Sequence, residues 1–454
     1  MGVNRRVIEG SSASQNPLPE RVRNPKVTLQ GLFQNQRASF SLDESILSKH
    51  TLFVGGTGCG KTTLFYHFVN QLRQSMTNND VMVIFDSKGD FYSKFFKQGD
   101  FVIGNSSQYQ KQSQRWNLFK EILADGWDEG TYELNIQEIC RSLFEEKVKQ
   151  NSANGFFPNA ARDLLASIIE CLIRAGVQDR NVRQQLFFND ELRKLLDGCD
   201  IDKILEILSD YSDMNGVKSY IEDRGGQAMG VLAEMFSAVR DLFIGVFSGH
   251  GFFSMREFIR SKGGKVLFIE YDLSIGSVLT PIYRLLFDLA LKEALGRGSA
   301  QSGNVYLICD EFKLIPNLQH IEDGVNFGRS LGVKIFAGLQ SIEQLYEIYQ
   351  ESRGKNIAAG FSSIFAFKAN DVTTRQYLSD LYGSNYVIEQ FMMNNRYEEE
   401  KRMGRVIEDW DMSRLRVGEQ PRNYRRKPPH PRSQPSGSRS GKPMVSFFGQ
   451  HFLL

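Results

Sequence analysis

Residues 51–64 read TLFVGGTGCGKTTL, and this stretch decides how the rest of the chain can be interpreted. The apolar residues that open it are typical of a buried strand, and apolar residues at helical spacing follow over 64–72. Between them, GGTGCGKT at 55–62 matches the P-loop pattern, in which backbone N–H groups and a helix start hold phosphate oxygens. The sequence therefore predicts a strand, a phosphate-binding loop and a helix in direct succession.

The residue types of this loop predict how a nucleoside triphosphate is held. Lys61 is expected to reach the β- and γ-phosphates, and the hydroxyl of Thr62 is expected to ligate Mg²⁺. The predicted nucleotide-binding residues are Gly55, Gly56, Thr57, Gly58, Cys59, Gly60, Lys61, Thr62 and Thr63. ATP and Mg²⁺ are the expected cofactors.

A second segment, VYLICDE at 305–311, supplies carboxylates for the metal and for hydrolysis. It is an apolar strand that ends in two acids, which a buried strand would avoid without a reason. Asp310 is expected to hold Mg²⁺ through its water shell, and Glu311 to orient and deprotonate the attacking water. The alternative is a strand-end turn with two solvated acids.

Two further residues are candidates for the same site. Gln340 lies just past a predicted strand at 333–336, where an amide can sense the γ-phosphate or hold the water. Arg329 precedes that strand and could reach a neighbouring subunit's nucleotide as an arginine finger. On spacing alone, an arginine in this position is more often an ordinary solvated residue.

The segment FDSKGD at 85–90 ends another predicted strand, at 81–85. Loops at the carboxyl ends of strands form the ligand crevice of open α/β sheets, so Asp86 and Lys88 could lie near the site. An ordinary polar turn is the alternative.

Alternation of strands and helices predicts an α/β fold. Further buried strands are expected at 266–269, 305–309, 333–336 and 364–367. From about 130 to 245 the chain is instead rich in helical periodicity, with an apolar stripe over 161–173 that is expected to be core. The pattern favours one α/β domain with a helical domain inserted in it.

The composition of the chain argues against a zinc-binding protein and against a membrane-spanning one. The five cysteines are scattered without a CxxC pair, so no zinc site is expected. No apolar run reaches about 18 residues, so no transmembrane helix is expected, and the start of the chain lacks a signal-peptide core. Proline, serine and basic residues dominate the last part of the chain, which predicts a flexible basic tail.

Several segments, in their order, resemble one known family. They are GGTGCGKTT at 55–63, FDSKGD at 85–90, RWNLF at 115–119, CDEF at 309–312, GRSLGVKIFAGLQSIEQLYEIY at 328–349 and FKANDVTTRQYLSDLYG at 367–383. Together they resemble the type IV coupling proteins, the conjugative-transfer ATPases of the FtsK-HerA superfamily, over about residues 45–420. Matching the motifs places the family's arginine finger on Arg329 and its glutamine sensor on Gln340. Asp86 and Lys88 fall in its second motif.

The resemblance implies a RecA-like P-loop domain with a mostly parallel sheet and an inserted all-α domain. The expected parts are a flexible arm (1–25), a discontinuous RecA-like domain (26–125 and 246–420), the inserted helical domain (126–245) and the basic flexible tail (421–454). The family forms hexameric rings that pump DNA, with attached proteins, toward a type IV secretion channel. The implied partners are DNA, copies of the same chain in a homohexamer, a relaxase or other secreted protein, and a membrane-embedded secretion component.

One departure affects the expected location. Family members usually carry N-terminal transmembrane helices, whereas this sequence predicts none. The expected protein is cytoplasmic, either recruited to the inner face of the membrane by a partner or an isolated cytoplasmic module. The leading hypothesis is a DNA-translocating motor ATPase. A protein-substrate receptor with nucleotide-gated assembly and a HerA-like DNA translocase unconnected with secretion are the alternatives.

Overall fold

The computed structural model describes residues 4–10, 22–33, 36–151, 155–296, 303–393, 396–415, 446–448 and 451–453. The remaining residues of the predicted arm and of the predicted basic tail lie outside this described part.

The helices and strands have the following bounds. The strands are β1 (Asn4–Gly10), β2 (Val27–Phe33), β3 (Gln36–Leu42), β4 (Thr51–Val54), β5 (Val81–Asp86), β6 (Phe101–Gly104), β7 (Val266–Glu270), β8 (Val305–Cys309), β9 (Val333–Leu339), β10 (Ser363–Ala366), β11 (Ser384–Met393), β12 (Arg396–Arg405), β13 (Ser446–Phe448) and β14 (His451–Leu453). The helices are α1 (Glu44–Leu47), α2 (Lys61–Ser75), α3 (Asp90–Phe95), α4 (Leu118–Ile122), α5 (Glu129–Gln150), α6 (Phe156–Gln178), α7 (Arg180–Leu186), α8 (Asn189–Asp197), α9 (Ile201–Ser209), α10 (Asn215–Lys218), α11 (Gly226–Leu242), α12 (Met255–Ser261), α13 (Gly276–Leu295), α14 (Ile321–Phe327), α15 (Glu343–Tyr349), α16 (Glu351–Gly360), α17 (Val372–Tyr382) and α18 (Asp409–Ser413).

The chain divides into two compact units. The P-loop unit comprises Met1–Thr77, Gly298–Pro316 and Ile321–Leu454, and the helical unit comprises Asn78–Arg297 and Asn317–His320. The domain limits expected from the sequence stay a prediction, because this division follows packing and not the change in sequence character.

Parallel strands form the centre of the P-loop unit. β14, β10, β4, β9 and β8 lie side by side in that order, and all of these pairs are parallel. β10, β4, β9 and β8 are buried along their whole length. Since parallel strands end at the same edge, the loops that follow β4, β8, β9 and β10 meet at the carboxyl edge of this sheet.

An aromatic cluster fixes α2 against the sheet. Phe65 and Phe68 of α2 approach Phe53 of β4 with ring centroids 4.1 and 5.3 Å apart, and Phe53 stacks on Phe365 of β10 at 5.0 Å. All four rings are fully buried. Such pairs each contribute about 0.5–1.5 kcal/mol beyond the burial of their area. The cluster thereby sets the position of the first turn of α2, which carries Lys61.

A separate antiparallel sheet, in the order β1-β11-β12, also belongs to the P-loop unit. β1 lies inside the segment predicted as a flexible arm, so residues 4–10 differ from that expectation. Arg5 is one reason, because its guanidinium pairs with Glu408 at 3.1 Å and donates to Asn385 at 3.2 Å. These partners are far away in sequence, so no local pattern could indicate the strand. Likewise, β14 lies inside the segment predicted as a flexible tail, and it pairs with β10.

The helical unit combines three parallel strands with many helices. β7 lies between β5 and β6 and is parallel to both. α6 packs against α5 and α11, and the apolar stripe predicted over 161–173 is buried along its length. That stripe is core, as its helical spacing indicated.

The RWNLF segment at 115–119 has a structural role in the helical unit. Glu121 is fully buried and accepts hydrogen bonds from Trp116 Nε1 at 2.8 Å and from the backbone N–H groups of Met255 and Arg256 at 2.7 and 2.9 Å. Asn117 donates to the carbonyl of Gly251 at 2.8 Å. A buried carboxyl group needs such partners, so this segment ties α4 to the start of α12.

Among the described helices, none is both long enough and apolar enough to cross a bilayer. The parallel strands with flanking helices agree with the α/β class expected from the sequence.

Candidate nucleotide-binding site

The P-loop connects β4 to α2 at the carboxyl edge of the sheet. Gly55, Gly58 and Gly60 have φ angles of 156°, 72° and 107°, which residues with a side chain resist. The N–H of Gly55 donates to the carbonyl of Leu339 at 3.1 Å, and the N–H of Gly56 donates to that of Lys368 at 2.8 Å. The start of the loop is therefore held between the ends of β9 and β10.

The Lys61 ammonium lies inside this loop. It is 6% exposed, and its Nζ donates to the carbonyl oxygens of Gly55 at 2.6 Å and of Gly56 at 3.1 Å. Bound phosphate oxygens offer the ammonium a full negative charge in place of these neutral acceptors. The Cys59 side chain is buried beside it, and burial raises the pKa of that thiol, so Cys59 fills space as a neutral group.

The predicted magnesium ligands lie next to each other. Thr62 Oγ1 donates to Asp310 Oδ2 at 2.6 Å, although the two residues are 248 positions apart. Thr62 is on the first turn of α2, and Asp310 directly follows β8 and is only 6% exposed. A hydroxyl and a carboxylate side by side are oxygen ligands of the kind that Mg²⁺ prefers. These residues fit the metal that the sequence predicts.

Glu311 and Gln340 are brought together at the same edge. Gln340 Nε2 lies 3.3 and 3.2 Å from the two carboxylate oxygens of Glu311, to which it donates. Thr57 Oγ1 of the P-loop donates to Gln340 Oε1 at 3.1 Å. Gln340 therefore bridges the P-loop and the candidate general base. An attacking water has to be held between these two groups.

Gly338 allows this approach. A Cβ atom at this position would lie 2.0 Å from the carbonyl oxygen of Asp310. β9 runs so close to the end of β8 that only glycine fits at position 338. This close approach allows Gln340, two residues further on, to reach Glu311. Nothing in the local sequence around Gly338 reveals this constraint.

Arg329 lies apart from these residues. It is exposed on a short 3₁₀ turn, Gly328–Leu331, that precedes β9, whereas Gln340 follows the same strand. β9 has 7 residues, and at a rise of about 3.3 Å per residue it separates its two ends by about 20 Å. Arg329 forms no ion pair within the described part of the chain. It cannot reach the P-loop of its own chain.

Asp86 and Lys88 belong to the helical unit. Asp86 is 1% exposed, and its carboxylate accepts backbone N–H bonds, among them from Gly89 at 3.0 Å and from Phe91 at 2.7 Å. It shapes the turn between β5 and α3, as the polar-turn interpretation holds. Lys88 is exposed on that turn.

A buried glutamate stands beside Asp86 in the helical unit. Glu270 ends β7 directly opposite Asp86, and it is 4% exposed. Burial, together with the nearby charge of Asp86, raises the pKa of Glu270 to about 9. A carboxyl group in this position is protonated at neutral pH.

Glu270→Gln is expected to remove a loss of stability that the wild type undergoes as the pH rises from about 4.5 to about 9. The folded-state pKa of Glu270 lies above its ordinary value of 4.5, so the folded chain binds the extra proton between these values. The free energy of unfolding contributed by this group is thus present below pH 4.5 and falls as the pH rises toward 9, by at most about 1.4 kcal/mol per unit. Denaturant titrations of both proteins from pH 5 to 9 measure the difference. Exposed Glu222→Gln is the control, and parallel stability curves for wild type and Glu270→Gln would contradict the prediction.

Two residues that sequence reasoning did not select also line the site. Lys368 and Asn370 follow β10 and border a cavity of about 160 Å³ together with residues 56–59 of the P-loop. The available signal was a pair of polar residues just past a buried strand, the same pattern that singled out Asp310. It could not be used without knowing that β10 lies beside β4.

A curated protein of known family matches two thirds of this chain. Coupling protein TraD of Escherichia coli (strain K12) is 24% identical over 308 residues, which is 67% of this chain and 39% of that protein. The chain thus spans 39% of the length of this curated relative.

Solved structures of the coupling protein TrwB share the fold. The trigonal form of TrwBdeltaN70 in complex with sulphate has a TM-score of 0.69 at 20% identity, covering 92% of this chain and 90% of that one. TrwB in complex with ADP and Mg²⁺ has a TM-score of 0.67 at 19% identity, covering 92% and 89%. The predicted fold class, α/β with a RecA-like P-loop domain and a helical part, is confirmed by this likeness.

A family model described as the type IV secretion-system coupling protein DNA-binding domain matches residues 35–409. This range contains the P-loop, both acids that follow β8, Arg329 and Gln340. The match covers most of the chain, and it agrees with the resemblance that the order of the motifs indicated. The chain therefore belongs to the type IV coupling protein family.

Proposed function

We propose that this chain is an ATP-driven motor that binds DNA and moves it, with attached protein, toward a type IV secretion or conjugation channel. One observation carries the proposal: Thr62 meets Asp310 and Gln340 meets Glu311 at a single sheet edge. This is the set of groups that hydrolysis of a magnesium-bound triphosphate requires. Membership of the coupling protein family supports DNA as the substrate that is moved.

ATP and Mg²⁺ are the proposed cofactors. TrwB has been solved with ADP and Mg²⁺ and with a non-hydrolysable ATP analogue, which supports a similar ligand here. Thr62 and Asp310 would hold the metal, whose charge neutralises the phosphates. Residues 55–63 would surround the phosphates, with Lys61 turning from the loop carbonyls toward the β- and γ-phosphates.

The remaining residues carry the hydrolysis in this proposal. Glu311 accepts a proton from the attacking water, and Gln340 orients Glu311 and senses the terminal phosphate. Arg329 supplies positive charge to the site of a neighbouring copy, since it lies at the opposite edge of its own sheet. Such an exchange between copies requires an oligomer, and a homohexamer is proposed.

The proposed partners follow from the family. DNA is held by its phosphates, so binding is expected to be independent of sequence and sensitive to salt. A relaxase or other secreted protein and a membrane-embedded secretion component complete the proposed set. The chain is proposed to act at the inner face of the membrane as a cytoplasmic protein recruited by such a partner.

DNA is expected to stimulate ATP hydrolysis by the purified oligomer. Hydrolysis is measured with and without single- and double-stranded DNA over a series of salt concentrations. Stimulation should decline as salt rises, because cations displaced from DNA phosphates compete with the protein. Hydrolysis that DNA leaves unchanged at every salt concentration, with hexamers present, would contradict the motor and favour the receptor with nucleotide-gated assembly.

A further inference from the structure

The segment that follows β10 forms a wall of the nucleotide site. The carbonyl of Lys368 accepts the N–H of Gly56 at 2.8 Å. On the same side of the loop, a Cβ atom added to Gly56 would lie 3.1 Å from the side-chain nitrogen of Asn370. The cavity of about 160 Å³ lies between this segment and residues 56–59. Lys368 and Asn370 therefore border space that opens directly onto the P-loop.

Neighbouring contacts show which end of a nucleotide would face this wall. Thr57, which also lines the cavity, donates to Gln340 at 3.1 Å, and Gln340 donates to Glu311. The pair that handles the attacking water must face the terminal phosphate. The cavity side of the P-loop is accordingly the terminal-phosphate side.

The charge of Lys368 is available for a ligand. Lys368 is exposed, and it forms no ion pair with any residue in the described part of the chain. The side chain of Asn370 is exposed as well. An ammonium group without an acidic partner, next to a loop built to bind anions, gains most from a phosphate oxygen. An amide nitrogen can add a second donor at the same oxygen atoms.

Hydrogen bonds hold this wall in register with Gln340. Asp371 accepts from Ser341 Oγ at 3.0 Å and from the N–H of Thr374 at 2.8 Å, which caps α17. Thr374 Oγ1 in turn accepts from the N–H of Ile342 at 2.8 Å. The residues directly after Gln340 and directly after Asn370 thus form one bonded unit. A ligand that contacts either segment meets donors whose relative positions are already set.

We propose that Lys368 and Asn370 bind the terminal phosphate of the nucleotide, so that the end of β10 distinguishes ATP from ADP. This inference rests on the proposed ATP site. The two residues would act opposite the magnesium ligands, which approach the phosphates from α2 and β8. The exposed ammonium of Lys368 would then contact the one phosphate that hydrolysis removes. This contact would be absent once ADP is the bound nucleotide.

Binding of a non-hydrolysable ATP analogue and of ADP, each with Mg²⁺, tests the proposal by titration calorimetry. Lys368→Met and Asn370→Ala are each expected to lower the affinity for the analogue by about ten- to a hundredfold, which is the effect of losing a hydrogen bond to a charged group. The Kd for ADP should change by less than about threefold. Lys368→Arg should restore most of the affinity for the analogue. Lys355→Met, which removes a lysine that pairs with Glu351 on α16, is the matched control.

The outcomes separate this inference from the proposed function. If the wild type binds neither nucleotide, the proposed ATP site is itself wrong. If the wild type binds both and Lys368→Met and Asn370→Ala keep the wild-type ratio of the two Kd values, only the role of the β10 end is wrong. Equal weakening of both nucleotides would move the contact to a phosphate that ATP and ADP share, and would overturn the terminal-phosphate assignment. Thermal melting identifies a misfolded variant, and the remaining variants then decide.

Discussion

Glu311→Gln is expected to lower the rate of ATP hydrolysis by about 10²–10⁴-fold, the range that general base catalysis contributes. Glu311 follows Asp310 just past the end of β8 and is half-buried, with both carboxylate oxygens facing the amide of Gln340. Glutamine has the same shape but cannot take the proton of the attacking water. Affinity for ATP should remain within about threefold of the wild type, because Lys61 and the proposed magnesium ligands are unchanged.

Single-turnover hydrolysis and nucleotide binding, measured on the same preparation, check this result. Glu343→Gln is the matched control, since Glu343 is an exposed glutamate on the first turn of α15, a few residues past Gln340. It should hydrolyse ATP at the wild-type rate. A Glu311→Gln protein that hydrolyses ATP at more than about a tenth of the wild-type rate would show that another group acts as the base.

Arg329→Ala is expected to reduce the turnover number by about 10³–10⁵-fold, the effect of losing an arginine finger. In the proposal this finger acts on another copy, since Arg329 precedes β9, whose two ends lie about 20 Å apart, and the P-loop lies at the other end of that strand. Arg353→Ala, which removes an arginine paired with Glu322 in the same unit, is the control and should leave turnover near the wild-type value.

Mixing the two inactive variants tests the exchange between copies. When Arg329→Ala and Glu311→Gln proteins assemble together, some sites have an intact Glu311 and receive an intact Arg329 from the neighbour. Random mixing in equal amounts produces this combination at roughly a quarter of the sites. Hydrolysis should therefore return in the mixture, although neither variant alone is active. A mixture as inactive as its components, with mixed oligomers demonstrated, would rule out action in trans.

The core of the site could be predicted because its signals are local. The P-loop is contiguous in sequence, and its spacing alone predicts that Lys61 contacts the phosphates and that Thr62 ligates Mg²⁺. Asp310 and Glu311 were identified because two acids end an apolar strand, a pattern that needs a reason wherever it occurs. Most of the parallel strands were visible as short apolar runs, whereas β6 was not predicted and β14 lies in the segment predicted as a flexible tail. Their fold class followed from the alternation with helices, and the family resemblance added its RecA-like form.

Other features depended on partners distant in the chain. Arg5 forms an ion pair with Glu408 and a hydrogen bond with Asn385, both far away in the sequence. No local pattern could therefore reveal β1 in the polar segment predicted as an arm. Asp86 illustrates the converse, because its strand-end position indicated a site residue as readily as a turn. Only the structure shows the carboxylate buried and bonded to the backbone of its own turn.

By itself, the sequence predicted a phosphate loop, a magnesium carboxylate and a candidate base, because each is encoded within a few consecutive residues. The tertiary structure decided how they meet. The order β10-β4-β9-β8 places Gln340 against Glu311 and brings Lys368 and Asn370 to the P-loop, while the length of β9 removes Arg329 from its own site. The side-by-side order of parallel strands is set by packing between distant segments, so no single stretch of residues can specify it.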